Sequence, residues 1–316
     1  MFKIPTFSSH PILFFLWNFL ILTGMVITFY VIGGVLGIAI TKLFFGIDLQ
    51  SSFNEIIYNS KANPQGVMAL KLNQALISLA IFVVPAFLFC KAIYQNPIHF
   101  LQLQSPTKIY NYLFIILLII LAIPVSSWLM QLNQNLHFPE NYQDFETFLR
   151  GDEAFAKLQM EIFVNANTIP QLLFNILIVA VIPAITEEFF FRGCLQNFVK
   201  MCFYNVHVSV IFTAIVFSAI HGDYFGFLPR FMFGLVLGYA FAYSGNIWVS
   251  IVGHFLNNCI TIVAYFIAQK HPDIAFLKDD YSFPIIVTFV AAISIILILF
   301  AMSKLKLKQL FINNTK

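Results

Sequence analysis

Apolar positions in this chain come in long unbroken runs, not at helical or strand intervals. No Asp, Glu, Lys or Arg occurs in 4–41, 72–90, 109–139, 162–186, 201–222, 231–269 or 281–303. A helix that crosses a bilayer needs roughly 17–25 mostly apolar residues, so each window has room for at least one. The window 231–269 is too long for a single helix and breaks at Ser244-Gly245-Asn246. The pattern therefore predicts eight spans, near 12–38, 72–93, 109–131, 168–196, 206–221, 227–243, 247–268 and 283–303. The runs do not alternate, which argues against a β-barrel. The expected fold class is all-α: a polytopic membrane helix bundle of about eight transmembrane helices, in one integral-membrane domain over 1–316.

Composition agrees with the pattern. Of the 316 residues 60% are hydrophobic and only 10% charged, against about 25% charged in a soluble domain. The first apolar run is longer than the core of a signal peptide and no clean small-residue cleavage site follows, so it is expected to stay as a span. Cys90, Cys194, Cys202 and Cys259 have no CxxC spacing and read as small packing residues. The net charge of +3 implies no nucleic-acid partner.

Basic residues set the expected topology. Lys304, Lys306, Lys308 and Lys316 place the C-terminus in the cytoplasm, and eight spans return the N-terminus with Lys3 to the same side. The linker 132–167 carries Glu140, Asp144, Glu146, Asp152, Glu153 and Glu161 against Arg150 and Lys157, and falls outside, as does the Asp279-Asp280 loop. Lys42, Lys61 and Lys71 go against this, lying in or beside a loop assigned to the outside. The expected location is the cytoplasmic membrane, with membrane lipids as constant partners.

Ionisable side chains at membrane depth are costly and point to function. They cluster in the second half of the chain. Glu187, Glu188 and Arg192 fall on span four, His221 ends span five, and His254 and Asn258 fall on span seven. In spans one to three the polar residues are scattered Asn, Gln, Ser and Thr. Glu188 and Arg192 stand four apart and share a helix face as an ion pair does. Glu187 is turned about 100° from them and is left to point elsewhere. Pro183, one turn earlier, should kink the helix. His254 and Asn258 also share a face, and Phe217 lies one turn before His221. The sixth span carries Gly234 and Gly238 as GxxxG, a spacing that permits close helix packing.

Each group alone has a structural explanation: a span end, a hydrogen-bonded His–Asn pair, a His at a helix terminus. Together, a carboxylate and two histidines can meet only in a shared polar cavity. Such a cavity suits the activation of water. A carboxylate in an apolar setting is an effective general base. One histidine orients the water, and a second with an amide donor stabilises an oxyanion. Zinc held by Glu187, His221 and His254 is the alternative, although Asn258 is a poor zinc ligand and fits the oxyanion role better. No HExxH and no GxGD pattern occurs.

Glu187-Glu188-Phe-Phe-Phe-Arg192 is EExxxR, Phe217-Ser-Ala-Ile-His221 is FxxxH, and His254-Phe-Leu-Asn-Asn258 is HxxxN. In this order they resemble the CPBP family of CAAX prenyl endopeptidases and bacteriocin-processing enzymes, also called the Abi family. The resemblance covers roughly 170–265 and places a catalytic core in 168–268. It implies an intramembrane endopeptidase acting on a membrane-bound or lipidated peptide or protein. Glu187 and His221 would activate water, His254 and Asn258 would hold the oxyanion, and Glu188 and Arg192 would support the site. The Lys-, Asn-, Ile- and Phe-rich composition suggests a bacterial source. Family members are often labelled metalloproteases, but the motifs are also explained by a carboxylate mechanism with no metal. A non-catalytic immunity or scaffold protein is the rival from a different class. One conflict stands within the expected topology: span five, crossing fully, carries His221 toward the far side, away from Glu187 and His254.

Overall fold

The computed structural model describes residues 10–94, 96–104, 106–274 and 281–314, with side chains in the last stretch through Leu307. Lys3, the Asp279-Asp280 loop, Lys316 and the Lys308 side chain lie outside that description. Among the described residues every regular element is helical, and seven helices are long and apolar enough to cross a membrane. The protein is an all-α, multi-pass membrane protein. Its polarity is inverted relative to a soluble fold. Leu43 and Ile286 are 81% and 73% exposed, while Glu188 and Arg192 have no exposed surface. Water would charge roughly 25 cal/mol for each Å² of that apolar exterior. Lipid does not, and a helix satisfies its backbone internally.

The expected span at 206–221 is the exception to the predicted set. It forms the helix Val206–Ala219, 14 residues long. At about 1.5 Å per residue it extends roughly 21 Å, short of a hydrocarbon core of about 30 Å. Apolar composition gave the length of the segment free of charged residues, but not how much of it is helical. The placing of both termini on one side depended on this segment crossing.

The chain divides into two compact units, Met1–Leu101 with Leu158–Ser209, and Gln102–Lys157 with Val210–Lys316. In the first unit α1 (Pro11–Phe45) packs on α2 (Pro64–Ile93). The approach is close because Gly33 and Gly37 lie at the contact. A Cβ at Gly33 would come within 2.6 Å of the Ala80 Cβ, and one at Gly37 within 2.0 Å of the Asn73 Oδ1. Small residues at such contacts let helix backbones approach. The other face of α2 meets the helix that carries Glu187, through Phe82 against Phe190 and Phe191 at 5.6 and 5.7 Å.

In the second unit α3 (Ile109–Gln134) is the common neighbour of three helices: Phe227–Ser244, Ile247–Lys270 and Ile285–Asn314. Gly253 sits where three of these meet. A Cβ there would lie 2.5 Å from the Ile115 Cγ1 and 2.8 Å from the Leu237 Cδ2. The helix α4 (Gln143–Val164), which is not among the seven apolar enough to cross a membrane, belongs to this unit as far as Lys157.

Candidate active site

Glu187, Glu188 and Arg192 lie on α5 (Ile169–Phe203) in the first unit. The helix starts on a capping box. Thr168 accepts from the Gln171 N–H, and Gln171 reaches back to the Thr168 backbone. It then runs through Pro183 without a break, because Ile176–Val181 forms a π turn. Proline lacks an N–H and its ring strikes the carbonyl four residues back, here Val179. A wider turn removes the clash. Pro85 in α2 is accommodated in the same way, after the π turn Leu79–Val83. A second π turn, Phe189–Gln196, begins directly after Glu188 and contains Arg192. Two departures from α-helix therefore flank the two glutamates, and π turns are frequent at functional sites.

Arg192 Nη1 donates to Glu188 Oε1 at 2.7 Å, with both side chains fully enclosed. Arg192 is also drawn electrostatically to Glu187, more weakly than to Glu188. Glu187 is half-buried and lines a cavity of about 70 Å³ within the first unit, shared with Gln74, Ser78, Phe82, Ile178 and Pro183. A water needs roughly 10–15 Å³ of such space, so the carboxylate faces room for several. The Ser78 and Thr186 hydroxyls are 2.7 Å apart beside it. The polar residues of α2 are not scattered over its surface. In fact Lys71, Gln74 and Ser78 repeat at helical spacing and face α5, the signal that would have found them. Lys71 needs a correction. It lies inside α2, 6% exposed, and its Nζ donates to Asn175 Oδ1 at 2.7 Å. It is not at the edge of an outer loop.

The histidines lie in the second unit. Ala219 ends the short helix α6 (Val206–Ala219), and Gly222, with φ +68°, turns the chain away. His221 is exposed, and its Nδ1 is 2.7 Å from the Phe217 carbonyl. A carbonyl only accepts, so Nδ1 carries a proton, and in the neutral form of the ring Nε2 is then the acceptor. His254, on α8 (Ile247–Lys270), is 4% exposed and packs edge-on against Phe217 at 6.0 Å and Phe233 at 5.5 Å. Phe217 also meets His221 at 5.1 Å. The structure thus brings His221 and His254 to one shared ring. Asn258, one turn beyond His254 and half-buried, accepts from Asn257 Nδ2 at 3.2 Å.

Gly234 has a specific partner. On α7 (Phe227–Ser244) it lies against Ala214, and a Cβ would come 3.0 Å from the Ala214 Cβ and 3.1 Å from its Cα. The GxxxG pattern thus seats the helix that carries Phe217 and His221. The residues 220–227 are fixed by contacts that charge-free windows conceal. Asp223 pairs with Arg230 and accepts the Gly226 N–H at 3.0 Å. Ser218 Oγ donates to the Phe227 carbonyl at 2.7 Å.

Among the described residues no three His, Cys, Asp or Glu side chains gather closely enough to hold a metal ion.

Residues 169–260 match a family model described as Rce1-like, type II CAAX prenyl endopeptidase Rce1-like. All three motifs fall inside the matched segment, which indicates a peptidase. No curated protein and no solved structure matches the chain.

Proposed function

We propose that this protein is an intramembrane endopeptidase that hydrolyses a peptide bond in a membrane-associated peptide or protein, lipidated substrates included. The observation that carries the reading is the family match over 169–260, which contains EExxxR, FxxxH and HxxxN together. In the proposed reaction Glu187 takes a proton from water as the water attacks the peptide carbonyl carbon. His221 accepts a hydrogen bond from that water at Nε2. His254 and the Asn258 amide donate to the carbonyl oxygen as it gains negative charge. The C–N bond then breaks, and the proton held by Glu187 passes to the leaving amine.

Local geometry supports these roles. Glu187 lines a cavity with room for water, and the Glu188–Arg192 pair lets the helix carry a further carboxylate at low net charge. The His221 tautomer suits an acceptor at Nε2. A 14-residue α6 also eases the depth conflict in the predicted topology, since it does not have to take His221 to the far face. No step is routed through a metal. The proposal puts the protein in the cytoplasmic membrane with its C-terminus inside, following Lys304 and Lys306, and takes lipids and the peptide substrate as its partners.

The test is cleavage of a membrane-tethered reporter peptide by purified protein in liposomes. Glu187→Gln and His254→Ala are expected to lower turnover by about 10³-fold or more while the protein still inserts, on the scale of lost acid–base and oxyanion groups. Parental turnover in Glu187→Gln overturns the role given to Glu187, and no cleavage by the parent overturns the protease reading in favour of a non-catalytic scaffold. Metal content and chelator sensitivity of the same preparation test the zinc-dependent version.

A further inference from the structure

We infer that Asn133, with Arg150 behind it, is a positioning residue for His221, and that the stretch 133–150, outside the family match, belongs functionally to the site. The inference rests on the proposed role of His221. Residues 220–226 leave the helix, exposed or half-buried as far as Tyr224, and the chain then turns inward, so that Phe225 is fully buried and Gly226 is buried with it. The carbonyls at that inward turn, of Tyr224 and Phe225, then need donors other than water. Asn133 meets that need at the end of α3. It is 3% exposed, and its amide donates to the Tyr224 carbonyl at 2.8 Å and to the Phe225 carbonyl at 2.6 Å.

Asn133 is itself backed by a cluster outside the spanning helices. Arg150 on α4 lies 4.5 Å over the Phe225 ring. It also donates to Glu146 and to the carbonyls of Gln134 and Leu136, the residues just past Asn133. Glu146 accepts from the Phe138 N–H at 2.7 Å and pairs with His137 at 3.0 Å. Phe138 packs on Tyr224 at 5.5 Å. The loop after His221 is thus gripped twice from one side, by an amide on its carbonyls and by rings and a guanidinium on its two aromatic residues. The Asp223–Arg230 pair and Ser218 hold its other flank. A loop fixed at both flanks holds the imidazole in one place, and a shift of about 1 Å in a group that meets the reacting water costs up to about 100-fold in rate.

The experiment compares Asn133→Leu and Asn133→Asp, which keep the size and remove the donors, with Asn111→Leu. Asn111 is a buried amide on the same helix, bonded to Thr107 and not to the loop. In liposomes both Asn133 variants are expected to lose about tenfold or more in kcat with KM within about twofold, because the substrate site is intact and the water-orienting group is displaced. Amide hydrogen exchange over 222–227 is expected to quicken in both. Asn111→Leu is expected to change neither. Arg150→Met, at the more exposed rim, covers the case in which the buried variants fail to fold. It is expected to lose about threefold in kcat with the same quickened exchange. Parental kcat with parental exchange in Asn133→Leu or Arg150→Met overturns the inference, as does an equal kcat loss in Asn111→Leu. If the parent itself cleaves nothing, the protease reading fails. The exchange arm then decides the inference alone, and unchanged exchange over 222–227 overturns it.

Discussion

Glu188 and Arg192 form a charge pair with no surface of its own. Breaking an enclosed ion pair by removing one member costs about 3–5 kcal/mol, whereas replacing both with apolar groups is often close to neutral. Arg192→Met is therefore expected to lower the thermal stability of detergent-solubilised protein strongly, and Glu188→Leu with Arg192→Met to recover most of the loss. Equal losses in the single and double variants would contradict the pairing. This pair was legible in the sequence because it is local, an acid followed four residues later by a base. Lys71 was not. Its partner Asn175 is 104 positions away, and a lysine beside a long apolar run reads as a span end until the fold shows what surrounds it. Glu187 is intermediate. The sequence separates it from Glu188 by helix rotation, but the cavity it lines is built with α2.

Helices α6, α7 and α8 are held together by small residues. Gly253 precedes His254 and is closed in by Ile115 and Leu237, both fully buried. Gly253→Val should cost about 1–3 kcal/mol by overpacking. It should also lower kcat more than KM, since His254 moves with its helix, as steady-state cleavage kinetics would show. Gly234→Leu should push α6 from α7 and act in the same sense through Phe217. The sequence flagged Gly234 and Gly238 as a packing pattern, and only the fold identified Ala214 as the partner. The segment 206–221 carries a similar lesson. Hydropathy reads how long a stretch is apolar, while helix ends depend on local turns such as Gly222 at φ +68°. The eight spans thus became seven long helices and one short one. Pro183 was seen from sequence as a disturbance, and the structure resolves it as a π turn.

Across the whole molecule the apolar exterior makes lipid part of the fold, and the segment outside the spanning helices answers to pH instead. The Phe138 N–H, then Arg150 and His137, hold the Glu146 carboxyl down to about 2 from the usual 4.5. A depressed carboxyl stabilises the folded state where it is ionised. Its contribution is full above about pH 4.5 and is lost as pH falls toward about 2. Protease protection of 134–150 is therefore expected to fade over that window, and Glu146→Gln to flatten the dependence. Fading that begins above neutral pH would refute the Glu146 assignment. A reporter fused at the C-terminus is expected to face the cytoplasm, following Lys304 and Lys306.

The sequence by itself determined the membrane class, the helical architecture, the local ion pair and the three motifs. Each of these is written in short-range pattern: unbroken apolar length, helical spacing, residue order. The tertiary structure decided what long-range contact alone can set. It gave Glu187 its cavity with Gln74 and Ser78 and took Lys71 into the core on Asn175. It placed His221 and His254 on one phenylalanine and tied the loop after His221 to Asn133 and Arg150. These pairings join residues up to about a hundred positions apart, and no single-chain pattern records which buried polar group will satisfy which.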